Sequence, residues 1–244
     1  MTTFAAPVAG AVGGALVESA DRLASTALAL ARRFAAGATL WCLAPGADHC
    51  ANHLAVEFVH PVIVGKRSLP AAALDATDPI GSARLLVRAG DVVVLMGSAD
   101  DPTIAALLRR GEAWGVETVL LAVGPEPDGA GRADHVVWTG PLDDGGLLLS
   151  FHLLWELTHV VFEHPGLLVD DTVPVCRDDI CITCSDEGRI VEVVSLIDER
   201  TAVVLAAGQR ECADLTVVDA VVPGDLLLVH AGLALTIVEG GGAR

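Results

Sequence analysis

The stretch Asp91–Val123, DVVVLMGSADDPTIAALLRRGEAWGVETVLLAV, holds the reading that decides the fold. Asp91 to Met96 is a short, almost wholly apolar run, the pattern of a strand buried on both faces. Asp101-Pro102 follows, an N-cap residue with proline in the first helical position, and predicts a helix to about Trp114. Glu117 to Val123 is a second buried strand. A strand, a helix and another strand within some thirty residues make a parallel βαβ unit.

The same alternation extends in both directions. Upstream, Val17, Ala20, Leu23, Ala24, Ala27, Leu28, Ala31 and Phe34 recur at helical spacing, and Thr39 to Leu43 reads as a strand ended by Pro45-Gly46. His49 to Val59 suits a helix, while Val62 to Val64 and Ala71 to Leu74 suit short strands. Downstream, His135 to Trp138 is a strand and Asp144 to Glu163 a long final helix. The expected N-terminal domain, residues 1–168, is therefore an α/β parallel sheet with helices on both faces.

After Pro165-Gly166 the texture changes to short β-branched runs: Arg189 to Val194, Ala202 to Leu205, Leu215 to Val218 and Leu226 to Val229. Asp198-Glu199, Ala207-Gly208 and Pro223-Gly224 separate them, which predicts a small all-β, OB-like Greek-key barrel over residues 172–240. The linker is expected near residues 165–175. Charge marks the same division. Residues 170–244 hold 14 acidic and five basic residues, so more than half of the net charge of −17 lies in under a third of the 244 residues.

That acid excess disfavours nucleic acid and anionic membrane surfaces as partners. Phe4 to Val17 is apolar but lacks a preceding basic residue and is interrupted by Pro7, Gly10, Gly13 and Gly14, so neither a signal peptide nor a spanning helix is expected. The expected compartment is the cytoplasm. Six cysteines in a chain this large favour reduced thiols. Cys176, Cys181 and Cys184 form a C-x4-C-x2-C cluster, and Cys42, Cys50 and Cys212 are expected as packed core thiols.

The run from Cys181 through Gly188-Arg189-Ile190-Val191-Glu192-Val193, then Gly208-Gln209-Arg210, Asp214 to Val218 and Pro223 to Gly232 (PGDLLLVHAG) resembles the HypC/HupF family. These are small chaperones of nickel–iron hydrogenase assembly. The resemblance implies a carrier of iron with cyanide and carbonyl ligands, with a hydrogenase large-subunit precursor and other maturation proteins as partners. His230 matches the family's histidine, and Cys181 and Cys184 compete for the position of its cysteine. Cys176, Cys181, Cys184 and His230 are the candidate metal ligands, since thiolate and imidazole suit low-spin iron. A structural zinc knuckle, or free thiols beside a half-buried strand histidine, are the alternative readings of the same residues.

Residues 17–164 resemble the SIS sugar-isomerase domain, specifically its phosphoheptose-isomerase branch. The likeness rests on His53-Leu54-Ala55-Val56-Glu57-Phe58, the DVVVLMGSADDP loop, WGVETVLLAVG and a final helix with His152, Glu156 and His159. It implies His53, Glu57 and a final-helix histidine, His159, as catalytic residues or a residual metal site, and a homo-oligomer paired through Val17 to Phe34 or Trp155 to Phe162. The expected phosphate loops, Ala44-Pro45-Gly46-Ala47-Asp48 and Gly97-Ser98-Ala99-Asp100-Asp101-Pro102, carry three aspartates where a dianion would sit. The first expectation is thus an assembly chaperone whose SIS-like domain is non-catalytic. The alternatives are a sugar-phosphate isomerase with a regulatory barrel, and a metal-storing binding module.

Overall fold

The computed structural model describes residues 19–125, 133–140, 144–168 and 188–240. The chain divides into two compact units: Met1–Leu108 with Glu117–Val169, and Arg109–Val116 with Asp170–Arg244.

The first unit is built on α1 (Ala20–Ala35), β1 (Leu40–Leu43), α2 (Asp48–Val59), β2 (Ala71–Ala73), α3 (Pro79–Leu86), β3 (Val92–Gly97), the part of α4 (Pro102–Trp114) up to Leu108, β4 (Glu117–Val123), β5 (His135–Gly140) and α5 (Asp144–Glu163). Its five strands run parallel in the order β2-β1-β3-β4-β5. The chain leaves β1 toward β2 and later returns to β1's other side as β3. That reversal makes the carboxyl ends of β1 and β3 the topological switch point, the place where open α/β sheets bind ligands. Val92, Val93, Val94, Leu95 and Met96 are all buried, as a doubly covered strand requires. Asp91, itself buried, accepts the Thr39 and Arg88 amides and the Trp41 indole at 2.8–3.0 Å, fixing the start of β1 against β3.

Several details differ from the sequence reading. Val62 to Val64 is not a strand; it lies in a turn between Pro61 and Gly65, and Val62 and Val64 are largely exposed. With no neighbouring strand to bond, β-branched composition alone does not make a ladder. Helix α3 is additional, and it carries the same signal as α4: Asp78 caps it and Pro79 opens it. The Asp78 carboxylate accepts the Gly81 amide at 2.9 Å, and a Cβ at Gly81 would stand 2.0 Å from that carboxylate. The apolar stripe of α1 is also used differently from expectation. Leu23, Ala27, Leu30 and Phe34 are buried in the unit's own core, so they are not available to pair subunits. Among the described residues α5 has the length and hydropathy to cross a membrane, but half of that stretch is buried, with Phe151, Leu154 and Trp155 in the core.

The barrel of the second unit comprises β6 (Arg189–Leu196), β7 (Thr201–Ala206), β8 (Gln209–Asp214), β9 (Leu226–His230) and β10 (Leu233–Glu239), closed in the order β10-β8-β7-β6-β9. All pairings are antiparallel except β8 with β10. Val191, Val193, Val204, Leu227 and Val229 fill the interior. Two hairpins turn on Ala207-Gly208 and Ala231-Gly232, with positive φ at both residues of each pair. Such turns match the twist of the strands they join. Leu215 to Val218, expected as a strand, is a turn; the strand is Gln209–Asp214, directly after the first hairpin. Cys212, expected in the core, is exposed, because Ala213 faces inward and neighbouring strand residues face opposite ways.

Candidate functional site

Helices α2 and α5 bring together His53, Glu57 and His152. The i, i+4 spacing stacks His53 over Glu57 on one face of α2, with Nε2 of the imidazole 3.3 Å from Glu57 Oε1. From α5, His152 Nε2 stands 3.8 Å from the same oxygen. Ligand atoms of all three lie within 4.8 Å of one another, a spacing that can hold one metal ion. Phe151, fully buried, stacks beneath the His152 ring and meets His53 edge-on. The two imidazoles therefore rest on an apolar floor that fixes their rings.

His159, the final-helix histidine expected at this site, lies elsewhere. It is buried between Phe58 and Trp155, with Nδ1 2.9 Å from the Trp155 carbonyl and Nε2 3.0 Å from the Arg67 carbonyl. Both ring nitrogens are engaged with main chain. Around it the segment after α2 is fastened to α5: Lys66 reaches Glu156 at 3.1 Å and Glu163 at 2.9 Å, and the Arg67 guanidinium lies over the Phe162 ring. The hydrogen bond from Lys66 holds Glu163 below the ordinary carboxylate range, and Glu163 in turn raises Lys66. Histidines seven residues apart on one helix look equivalent in sequence; which of them faces α2 is settled by packing.

The loops at the carboxyl ends of β1 and β3 confirm their acidic character and show how it is used. Asp101 Oδ1 accepts the amides of Thr103 at 2.8 Å and Ile104 at 3.1 Å, so the first amides of α4 are bonded within the chain. A carboxylate thus occupies the anion position that helix dipoles create. Helix α2 begins at Asp48 with no side-chain cap.

At the other end of the sheet, Glu117 receives a hydrogen bond from His135 at 2.6 Å and another from Arg33. The His135 bond, followed by Arg33, holds the Glu117 carboxyl below its ordinary range against the opposing effect of burial.

In the barrel, His230 ends β9 just before the Ala231-Gly232 turn and is partly buried, opposite Leu233. The buried Asp225 of the same PGDLLLVHAG segment accepts the Val222 amide at 2.9 Å and shapes the turn into β9. A surface depression beside the second hairpin is lined by Arg200, Thr201, Cys212, Asp214, Thr216 and Gly232. Cys176, Cys181 and Cys184, the expected thiol ligands, lie outside the described residues. Cys42 and Cys50 are buried as expected, and burial pushes the Cys42 thiol far above the ordinary thiol range.

Comparison with known proteins gives one family match and a set of fold likenesses. Residues 188–244 match the HupF/HypC family. No curated protein matches the chain by sequence. Among solved structures, a phosphoheptose isomerase from Francisella tularensis is similar with a TM-score of 0.53 and 14% identity, over 62% of this chain and 94% of that one. A putative phosphosugar isomerase involved in capsule formation, from Bacteroides fragilis, is similar with a TM-score of 0.52 and 14% identity, over 64% of this chain and 88% of that one. At such identity these likenesses establish a fold, that of the phosphosugar isomerases.

Proposed function

We propose that this protein is an assembly chaperone for nickel–iron hydrogenases, in which the HupF/HypC-type barrel carries iron with its diatomic ligands to the large-subunit precursor. The observation that carries the reading is the family match over 188–244, which contains His230 within PGDLLLVHAG. The assigned donor set is His230 with Cys181 or Cys184, and Cys176 beside them. Thiolate and imidazole are the donors that soft, low-spin iron selects. The partners of this reading are the precursor and other maturation proteins, in the cytoplasm where thiols stay reduced. The SIS-like unit serves as a non-catalytic, subunit-pairing scaffold.

The test is anaerobic purification of the full chain, followed by iron analysis, infrared spectroscopy and capture of the large-subunit precursor. Near-stoichiometric iron, cyanide and carbonyl bands and a captured precursor are expected. Iron-free protein that captures no precursor overturns the reading, and zinc in place of iron favours a structural or storage role. Separate Cys181→Ala and Cys184→Ala variants identify the working thiol.

A second reading, a sugar-phosphate isomerase, is favoured by the shared fold and by the His53–Glu57 pair. The self-capped helix α4 counts against it. Calorimetric binding of a heptose or hexose phosphate, abolished by Glu57→Ala, would establish this reading instead.

A further inference from the structure

We infer that the outer face of the barrel around Glu192 is a docking surface for the C-terminal end of a helix carrying arginine and tryptophan one turn apart, and that Arg109–Val116 of the same chain fills it. Both sides of this contact belong to the second unit. Three observations carry it.

The first is a carboxylate that strand geometry turns outward and that is nevertheless buried. Val191 and Val193 face the barrel core, so Glu192 between them points to the outside. Glu192 is only 4% exposed, and the residues over it, Arg110 and Trp114, are 2% and 5% exposed. An outward strand side chain loses solvent only where something lies on it.

The second is how that carboxylate is met. The Trp114 indole donates to Glu192 Oε2 at 2.6 Å, and Arg110 Nε stands 3.4 Å from Oε1. Arg110 also reaches Glu239 of β10 at 3.3 Å, and Arg109 pairs with the same carboxylate. Arginine and tryptophan are the residue types that dominate the desolvated centres of protein interfaces. Here they meet a carboxylate that, once buried, requires a partner.

The third is that the surface reads main chain as well. The Ala113 carbonyl, one of those that a helix end leaves without an intrahelical partner, accepts the Gly208 amide at 2.9 Å. The Glu112 carboxylate accepts the Ile190 amide at 3.3 Å. Gly115, at positive φ, approaches the β7–β8 turn so closely that a Cβ would stand 2.6 Å from the Ala207 main chain. The surface therefore selects a guanidinium, an indole four residues later, an open carbonyl between them and a glycine just past the helix end. Any other helix offering that set has to displace Arg109–Val116. The surface is also apart from the iron donor assigned to β9. Glu192 and Glu239 both pair with Leu226, and His230 lies four residues, roughly 13 Å, further along the strand.

Residue-resolved hydrogen exchange of the full chain distinguishes a docked segment from a permanent part of the core. The reporters are the Gly208 amide, bonded to the Ala113 carbonyl, and the Val193 amide, bonded to the Asp225 carbonyl within the barrel. In the unsubstituted chain Gly208 should exchange at least about tenfold faster than Val193, because a docked segment opens below the cost of global unfolding. Equal rates overturn the inference. Trp114→Ser and Arg110→Gln should each speed Gly208 exchange by roughly 100-fold, the scale of a buried charge losing a partner. Val193 should keep its protection in both. Unchanged Gly208 exchange, or loss of protection at both amides together, overturns it. A synthetic peptide of residues 102–116, at millimolar concentration, should restore Gly208 protection in either variant, and no restoration overturns the assignment of the surface as a helix receptor. Iron content and precursor capture are not read in this experiment, so it fails independently of the chaperone reading.

Discussion

Trp155 donates its indole N–H to the main-chain carbonyl of Glu57 at 2.8 Å. This bond joins α5 to α2 at the residue whose side chain lies between two imidazoles. Trp155→Phe keeps much of the ring volume and removes the donor, leaving a carbonyl without that partner. The expected cost is about 1–2 kcal/mol in urea unfolding, as for a lost hydrogen bond.

His159 and His152 should separate cleanly. His159→Leu leaves the Arg67 carbonyl without the imidazole and is expected to destabilise the chain by about 1–3 kcal/mol. His152→Ala, at a partly exposed position, should barely shift the unfolding midpoint in the presence of chelator. Paired unfolding and metal titrations check both. A metal-binding loss in His159→Leu would contradict its structural placement.

Glu117 predicts an acid-side dependence. Its folded pKa is lowered, chiefly by the hydrogen bond from His135 and then by Arg33. The carboxylate's contribution is therefore complete above the unfolded value, about 4.3, and is lost as pH falls through the lower folded value. Stability should fall with acidification in this window. Glu117→Gln should flatten that slope and cost about 2 kcal/mol at neutral pH, in line with hydrogen bonds to a charged group. Urea unfolding at a series of pH values between 3 and 7 measures both.

Asp101 tests the loop at the carboxyl end of β3. Asp101→Ala removes the acceptor for the Thr103 and Ile104 amides and should cost about 1 kcal/mol, the usual price of a lost N-cap. The unsubstituted protein should show no calorimetric heat with inorganic phosphate. Millimolar phosphate binding by the unsubstituted chain would contradict the role given to Asp101.

Thiol chemistry separates the three described cysteines. Cys212 is exposed on β8, whereas Cys42 and Cys50 are buried, and burial raises the Cys42 thiol. Brief alkylation of the native protein followed by peptide mass spectrometry should label Cys212 and spare Cys42 and Cys50 until denaturant is added.

Much of the architecture was legible because it rests on local signals. The DVVVLM and ETVLLAV runs became β3 and β4 as neighbours in a parallel sheet, and Asp101-Pro102 opened α4. The identical Asp78-Pro79 signal opened α3, a short helix whose apolar periodicity is too brief to stand out. In the barrel, Ala207-Gly208 was visible as a turn. The strand after it was not, because its residues are mostly polar: Gln209 and Arg210 are exposed, Glu211 is half-buried and only Ala213 is buried in that stretch.

By itself the sequence determined the order of secondary structure, the change from α/β to all-β texture, the acidic loops and the pairing of His53 with Glu57. Each depends on neighbours within a few residues, where helical or strand period fixes geometry. Tertiary structure alone decided that His152 rather than His159 joins that pair, that the apolar stripe of α1 is covered by its own core, and that Cys212 faces solvent. Those outcomes depend on which helix face or strand face meets a partner distant in sequence. The indole of Trp155, Phe151 and the Arg67 carbonyl settle the first of them by close packing, which no residue spacing encodes.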